Sequence, residues 1–578
     1  MLHIYLSLLY SRSVTINDPQ LCRFYRLGFQ SLHFHTDFDQ EIPAPKHTIQ
    51  AGNPDRDVFF PGYYAVARPF AYAIDLMDSI LPRGQSKNQK ILKGADVSSC
   101  SNVPDRISTL PDAVLGQILS FLPTRFAAQT GVLSKRWKKL WISVPTLDFD
   151  IKLQDRGNMA KFDGFAKSDD IQSFTNFVDR LLFVRDHSSI REFRFSFDDR
   201  FDPKRFYAWM WIVIMSNIEV LDLDMRSLVG IRELPWSLFS SKSLVVLKLS
   251  GRFLLAIPCT ASFPRLRTLC LKYVMYVSDA SIEELLSACP VLEDLQITRE
   301  RWDNAVNIVI AQPSLKRLTF ESYGDTSMQS SNRAGGRINY KLLVKAPNVE
   351  YMKLVDFASD DMAVEHMPCV NEADINVNNL GEEVGWTNIQ RRNYGKRICG
   401  ILGSLCKVKH LSLGGETLKA RQDALRAASE SRVLLFHNLV HLVLGFDYLH
   451  GPILLPGFLG LCPNLESLVF PDGMTCTCLD VGVENRGHAP YFWEPPEVVP
   501  GCLLHTLKSI EIESFCGEEP EELKLVKFLL ENAMVLKEMT LVCHADCIDM
   551  YSFRDELMAY KRGSAACQVC ILPEAGDE

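Results

Sequence analysis

The thiols and imidazole near the C-terminus are the residues best spaced for chemistry. Cys543, His544, Cys547, Cys567 and Cys570 include a Cys-x3-Cys followed by a Cys-x2-Cys. That spacing approaches a zinc ribbon, in which soft thiolates hold the ion in a tetrahedron. The preferred reading is buried or free thiols, because Cys543 directly follows an apolar hexamer and 17 cysteines are scattered along the chain. Cys476 and Cys478, in a loop, offer less. No Gly-rich phosphate cradle follows a strand, and neither a nucleophile elbow nor an HExxH pair occurs. The 13 histidines pair with no nucleophile by motif. No catalytic residue, cofactor or bound metal is expected, with Cys543, Cys547, Cys567 and Cys570 the weak metal candidates.

The basic run SKRWKK at 134–139 has the composition of a nuclear-import signal, yet it reads better as the solvated face of a helix. Trp137, Leu140 and Trp141 lie on the apolar side of that helix. Upstream, Pro111 suits a helix start and Asp112 its positive end, with Leu115, Ile118, Leu119 and Leu122 at helical spacing. Pro123 ends the helix, and Thr124 is expected to cap a second one carrying Ala127, Ala128, Val132 and Leu133. Three short helices in about 40 residues make a small core, so part of this apolar surface needs a partner.

Behind the helices an apolar-x-x-apolar-x-apolar hexamer recurs. It reads Ile190/Phe193/Phe195, Ile218/Leu221/Leu223, Leu244/Leu247/Leu249, Leu266/Leu269/Leu271, Leu292/Leu295/Ile297 and Leu315/Leu318/Phe320. It continues as Val349/Met352/Leu354, Val408/Leu411/Leu413, Leu439/Leu442/Leu444, Leu465/Leu468/Phe470, Leu507/Ile510/Ile512 and Leu536/Met539/Leu541, with a degenerate Val370/Ala373/Ile375 between. The first six begin 22 to 28 residues apart, the period of leucine-rich repeats. Alternation inside the hexamer makes a strand, and intervening stretches such as 278–290 are helical, with Ile282, Leu285 and Leu286 on one face. Strand plus helix per unit predicts an α/β solenoid with strands along its concave side. The residues aimed outward there are Arg194, Asp222, Lys248, Cys270, Gln296, Thr319, Lys353, Ser412, Val443, Val469, Glu511 and Thr540. Both charge signs are mixed among them, so a protein target fits better than a phosphate backbone.

Composition bounds the rest. The chain has 578 residues with a net charge of −8, 47% hydrophobic and 23% charged, which is ordinary for a globular protein and argues against a general nucleic-acid binder. No run of 18 apolar residues suggests a membrane span. The odd, scattered cysteines and the lack of any Asn-x-Ser/Thr site fit a reducing compartment, nucleus or cytoplasm. MLHIYLSLLY makes a poor signal peptide, lacking a basic flank and a cleavage site. Residues 1–100 show no sustained period, and 81–102 reads as a linker. Translation from Met77 would make residues 1–76 a gene-model extension.

The segment LPDAVLGQILSFLPTRFAAQTGVLSKRWKKLW (110–141) resembles the F-box through its Leu-Pro opening, ILSFLP centre and VLSKRW ending. The repeats resemble those of F-box proteins, and GCLLHTLKSIEIESFCG with ELKLVKFLLENAMVLKEMTL resembles the FBD domain of plant F-box/leucine-rich-repeat proteins. The fold implied is a three-helix F-box at 103–150, a leucine-rich-repeat horseshoe at 186–498 and an FBD cap at 499–570. The resemblance implies a non-catalytic substrate-recognition subunit of an SCF-type (Skp–cullin–F-box) ubiquitin ligase. Its partners would be a Skp-type adaptor, through it a cullin, and an unknown target protein, with no nucleic acid or membrane. Carried over, the adaptor contacts are Leu110, Pro111, Ile118, Leu119, Leu122, Pro123, Val132, Leu133 and Trp137, with Trp137 expected at the energetic centre and about half of the nine building the domain's own core. Phe126 and Gly131 depart from the acid and the Ser that many relatives carry, and both are expected to weaken the module. The alternatives are a ligase-independent binding protein with a degenerate F-box and a small-molecule-sensing F-box receptor.

Overall fold

The computed structural model describes residue 107 and residues 109–573, apart from 151–167, 186–188, 198–200, 226–229, 300–302, 324–339, 358, 360, 378–387, 416, 418–434, 446–450, 474–492, 516, 518–519 and 544–553. The expectations for residues 1–100, including a start at Met77, lie outside the described residues.

Three short helices open the described chain: α1 (Asp112–Ser120), α2 (Thr124–Gln129) and α3 (Lys135–Leu140). Pro111 precedes α1 with an extended ψ of 149°, and α1 stops at Phe121, ahead of Pro123. The Ser134 hydroxyl caps α3 by accepting the Trp137 N–H at 3.3 Å. Thr124 does not cap α2, whose N-terminal flank is Pro123. Its hydroxyl instead accepts the Asp148 N–H at 2.7 Å and ties the helices to the first strand.

Every hexamer from Ile190 onward becomes a strand, and the strands stack in chain order into one parallel fifteen-stranded sheet. They are β1 (Thr146–Asp150), β2 (Glu192–Phe197), β3 (Val220–Met225), β4 (Val246–Ser250), β5 (Thr268–Lys272), β6 (Asp294–Arg299), β7 (Arg317–Ser322) and β8 (Tyr351–Asp356). β9 (Glu372–Val377), β10 (His410–Leu413), β11 (His441–Leu444), β12 (Ser467–Phe470), β13 (Ser509–Phe515), β14 (Glu538–Cys543) and β15 (Gln568–Pro573) complete it. Strict sequential parallel order is what a solenoid requires, since each repeat buries its face only against its neighbours. The degenerate hexamer at 370–375 is β9, a full member of the sheet.

The inward residues of each hexamer are buried almost completely, Leu221, Leu295 and Leu468 among them. Each such side chain contributes about 1.5–3 kcal/mol. Helices cover this face in places, such as α4 (Ser168–Val184), α5 (Pro203–Met215), α6 (Ala280–Ser287), α7 (Asn388–Ser404) and α8 (Gly451–Leu459). The helix at 280–287 buries Ile282, Leu285 and Leu286, as its spacing predicts. Elsewhere the helix-per-repeat expectation is corrected. Two three-stranded parallel sheets replace helices, one from 232–233, 253–255 and 275–276, the other from 307–311, 341–345 and 361–364. Their alternating residues, Ile308/Ile310 and Leu342/Val344, are buried and satisfy a period of two rather than 3.6. Gly251 turns the chain into the first of these sheets with φ of 108°, and a Cβ there would lie 2.0 Å from the Met225 carbonyl oxygen.

Near the C-terminus α9 (Gly501–His505), α10 (Pro520–Asn532) and α11 (Arg554–Ala559) accompany the last three strands. No helix among the described residues is long and apolar enough to cross a membrane.

Candidate functional site

Two surfaces stand out, one on the three-helix module and one on the open face of the sheet. The module closes on Leu115, Leu119, Ala127, Trp137, Leu140 and Val144. Arg136 clamps its opening turn, meeting the Asp112 carboxylate at 2.6 Å and donating to the Leu110 carbonyl. Of the nine adaptor-contact residues read from the sequence, Leu119 and Trp137 lie in this core. Leu110, Ile118 and Leu122 pack partly buried against it, and Pro123 is half-buried. Pro111, Val132 and Leu133 are exposed, the last two at 64% and 65%.

The weight given to Trp137 is therefore corrected. Its indole is only 6% exposed, and it holds α3 against α1 and α2. The short turn after α2 carries Val132 and Leu133 outward because the Thr130–Val132 segment is a 3-10 turn, out of phase with the helix before it. Phe121 joins them at 50% exposed, and sequence reading missed it. Its signal was there: an apolar residue off the face shared by Leu115, Ile118, Leu119 and Leu122.

Gly131 also reads differently in three dimensions. A Cβ at this position would meet the Trp141 indole at 2.8 Å. The glycine makes room for that ring, which packs against both the helical core and the core of the sheet. Arg185, buried at the end of α4, adds a second tie by donating to the Val144 carbonyl at 2.6 Å and to that of Ser189. Burial pulls its guanidinium down to about 10.

On the open face, the twelve outward residues read from the sequence stand in one register column. It runs Asp148, Arg194, Asp222, Lys248, Cys270, Gln296, Thr319, Lys353, Asp374, Ser412, Val443, Val469, Glu511, Thr540 and Cys570. Its first four residues alternate in charge. Burial raises the Asp148 and Asp222 carboxyls above the usual carboxylate range, against the lowering pull of Arg194 and Lys248. Lys353 pairs with Glu321 at 3.0 Å. In the second half a shallow, largely open depression of about 490 Å³ lies along β10–β13, lined by His410, Val440, His441, Glu466, Ser467, Lys508 and Ser509. The two imidazoles stand 5.7 Å apart. Burial, helped by His410, lowers His441 below the usual histidine value.

The zinc candidates do not converge. Cys543 sits level with Pro573, at the far end of the β14–β15 pair, and Cys570 is level with Thr540. Cys567 precedes β15 at the near end, about 20 Å from Cys543 at 3.3 Å per residue. Cys547 and His544 lie outside the described residues. No metal-holding group of three His, Cys, Asp or Glu occurs among the described residues.

Three family profiles match the chain in order: the F-box domain at 107–148, the LRR repeats of FBD-associated F-box protein At5g56370 at 206–333, and FBD at 494–541. The F-box/FBD/LRR-repeat protein At5g22660 of Arabidopsis thaliana is 31% identical over 478 residues, covering 81% of this chain and 96% of the relative. The chain belongs to the plant F-box/FBD/LRR-repeat family. FBD-associated F-box protein At4g10400 of the same plant is 29% identical, covering 80% of this chain and 99% of its own length. F-box/LRR-repeat protein 13 is 30% identical over 82% and 97% respectively. The F-box match spans the three helices and reaches into β1, while the FBD match spans α9, β13, α10 and most of β14. The names of these relatives give their domains and no reaction, and the F-box in general docks Skp-type adaptors.

Proposed function

We propose that this F-box adaptor protein is the substrate-recognition subunit of an SCF-type E3 ubiquitin ligase, with the F-box at 103–150 docking a Skp-type adaptor and the repeats at 186–498 with the FBD region at 499–570 holding a target protein. The observation that carries the reading is the exposed trio Phe121, Val132 and Leu133 on a module whose own core is already closed. Large apolar side chains left outside a completed core are the usual anchors of a protein interface. The half-buried Leu122 and Pro123 follow Phe121 directly in sequence, and Pro111 is exposed at the start of α1.

The chain supplies no chemistry in this scheme. Holding a target near a charged ubiquitin carrier raises the effective concentration of its lysines, which is catalysis by proximity. The module's ties to β1 fit that task, since a fixed angle between F-box and repeats fixes where the target's lysines are presented. Work in the nucleus or cytoplasm follows from this role.

Co-expression with a Skp-type adaptor tests the reading, using wild type beside Val132→Asp/Leu133→Asp. Capture by wild type and its loss in the variant is the expected result. Failure of folded wild type to capture the adaptor would leave a ligase-independent binding protein in its place.

A further inference from the structure

We propose that the open-face cavity at His410 and His441 receives one apolar side chain of the target protein, from an extended segment that carries Lys or Arg on both sides of it. This rests on the reading above that the repeats hold a protein target.

The floor of the cavity is built from four residues paired in register across successive strands, His410, His441, Ser467 and Ser509. Burial, helped by His410 5.7 Å away, lowers His441 below the usual histidine value, which disfavours a charge on that imidazole. The charges at the edge of the floor, Glu466 and Lys508, cancel in an ion pair of 2.7 Å. Two residues further along each strand, the central column shows Ser412, Val443 and Val469. These valines are the only aliphatic side chains in that column, which elsewhere carries charged, hydroxyl, amide and thiol groups. Val440 lines the depression, and Val443 and Val469 add an aliphatic patch beside it.

Both sides of this window are acidic. Glu372 and Asp374 stand on β9, directly before His410 and Ser412 in register. Glu511 on β13 and Glu538 on β14 stand directly after Val469 and Ser509. From β9 to β13 is four strand spacings, about 19 Å, and an extended chain covers that in about six residues. A segment crossing the strands would place its apolar anchor over the cavity and its cations about three positions to either side. Phosphate-bearing ligands are disfavoured by the same acids. A shallow depression of about 490 Å³ with an exposed His410 in its floor accepts a side chain from a passing segment rather than enclosing a small molecule.

The test uses the full chain, with and without a Skp-type adaptor, and nine-residue peptides read by fluorescence polarisation. One set has Leu or Phe at the centre with Lys three positions to each side. Two control sets replace the lysines with Glu or the central residue with Ala. The Lys-flanked apolar peptides should bind at least tenfold tighter than either control. Val443→Lys/Val469→Lys should remove at least tenfold of that affinity while melting temperature and adaptor capture stay at wild-type values. No binding, equal binding of the sets, preference for Glu flanks, or indifference to the double variant would each overturn the proposal. Adaptor capture without peptide selectivity sinks the cavity assignment alone, and selectivity without adaptor capture sinks the ligase reading alone.

Discussion

The F-box and the solenoid solve the same packing problem with different resources. A strand in the middle of the sheet has a neighbour on each side, and its inward leucines are buried to within about one per cent. Among the described residues the F-box has a neighbour on one side only, where α2 meets β1, and it closes its core with six residues. Its remaining apolar side chains, Phe121, Val132 and Leu133, stay in solvent. Repetition supplies each unit with its own cover, and a unit outside the series must find its cover in another molecule.

The sharpest way to separate the two regions is to remove a large core side chain from each. Trp137→Ala should cost about 3–5 kcal/mol, which is comparable with all that so small a module has. The F-box should then lose amide protection in hydrogen exchange and lose adaptor capture, while the strands keep their protection. Leu295→Ala in β6 should cost about 2–5 kcal/mol and yet leave the chain folded, because the repeats on either side persist. A global loss of protection in that variant would break the comparison.

Surface changes sharpen it further. Val132→Asp/Leu133→Asp should lower adaptor affinity about a hundredfold or more, with the melting temperature within about 1 °C of wild type. Gly131→Ser should destabilise the F-box by about 1 kcal/mol because its Cβ meets the Trp141 ring. A gain in stability would show that the indole moves aside freely. The smallest effect belongs to the carboxylates of the solenoid's central column. Burial raises the Asp222 carboxyl, so the folded state holds that proton to higher pH than the unfolded chain does. Its unfavourable contribution is therefore present at neutral pH and disappears as pH falls through the folded value. Asp222→Asn should melt slightly higher than wild type at pH 7 and lose that advantage toward pH 4, which paired melts would show.

The strands were legible because burial of one face imposes a period of two, and thirteen hexamers from Ile190 to Leu541 each became one. β1 was missed although Val144/Leu147/Phe149 has the same spacing, because it was counted with the F-box. β15 follows the weaker Ala566/Val569/Ile571, whose lone neighbour leaves Val569 and Ile571 only half-buried. The two short sheets opposite the main one were not foreseen, since brief runs such as Asn307–Ala311 carry too few residues to decide between strand and helix. In the F-box, sequence marked which residues are apolar, but their division between core and surface depended on the 3-10 turn at Thr130–Val132. The cavity at His410 and His441 had no sequence signal at all, because the two residues are 31 positions apart and meet only through register.

The Thr124 hydroxyl that takes the Asp148 N–H has a consequence for how this molecule meets copies of itself. An open parallel sheet has two edges, and each is a template on which another chain's strand can add. Along β1 that template is overlaid by α2 and one of its N–H groups is already spoken for. Along β15 no further strand follows among the described residues, and the main defence is Pro573, which has no N–H to offer, beside a half-exposed Leu572. Among the described residues the edge along β15 is therefore the more open of the two to strand addition.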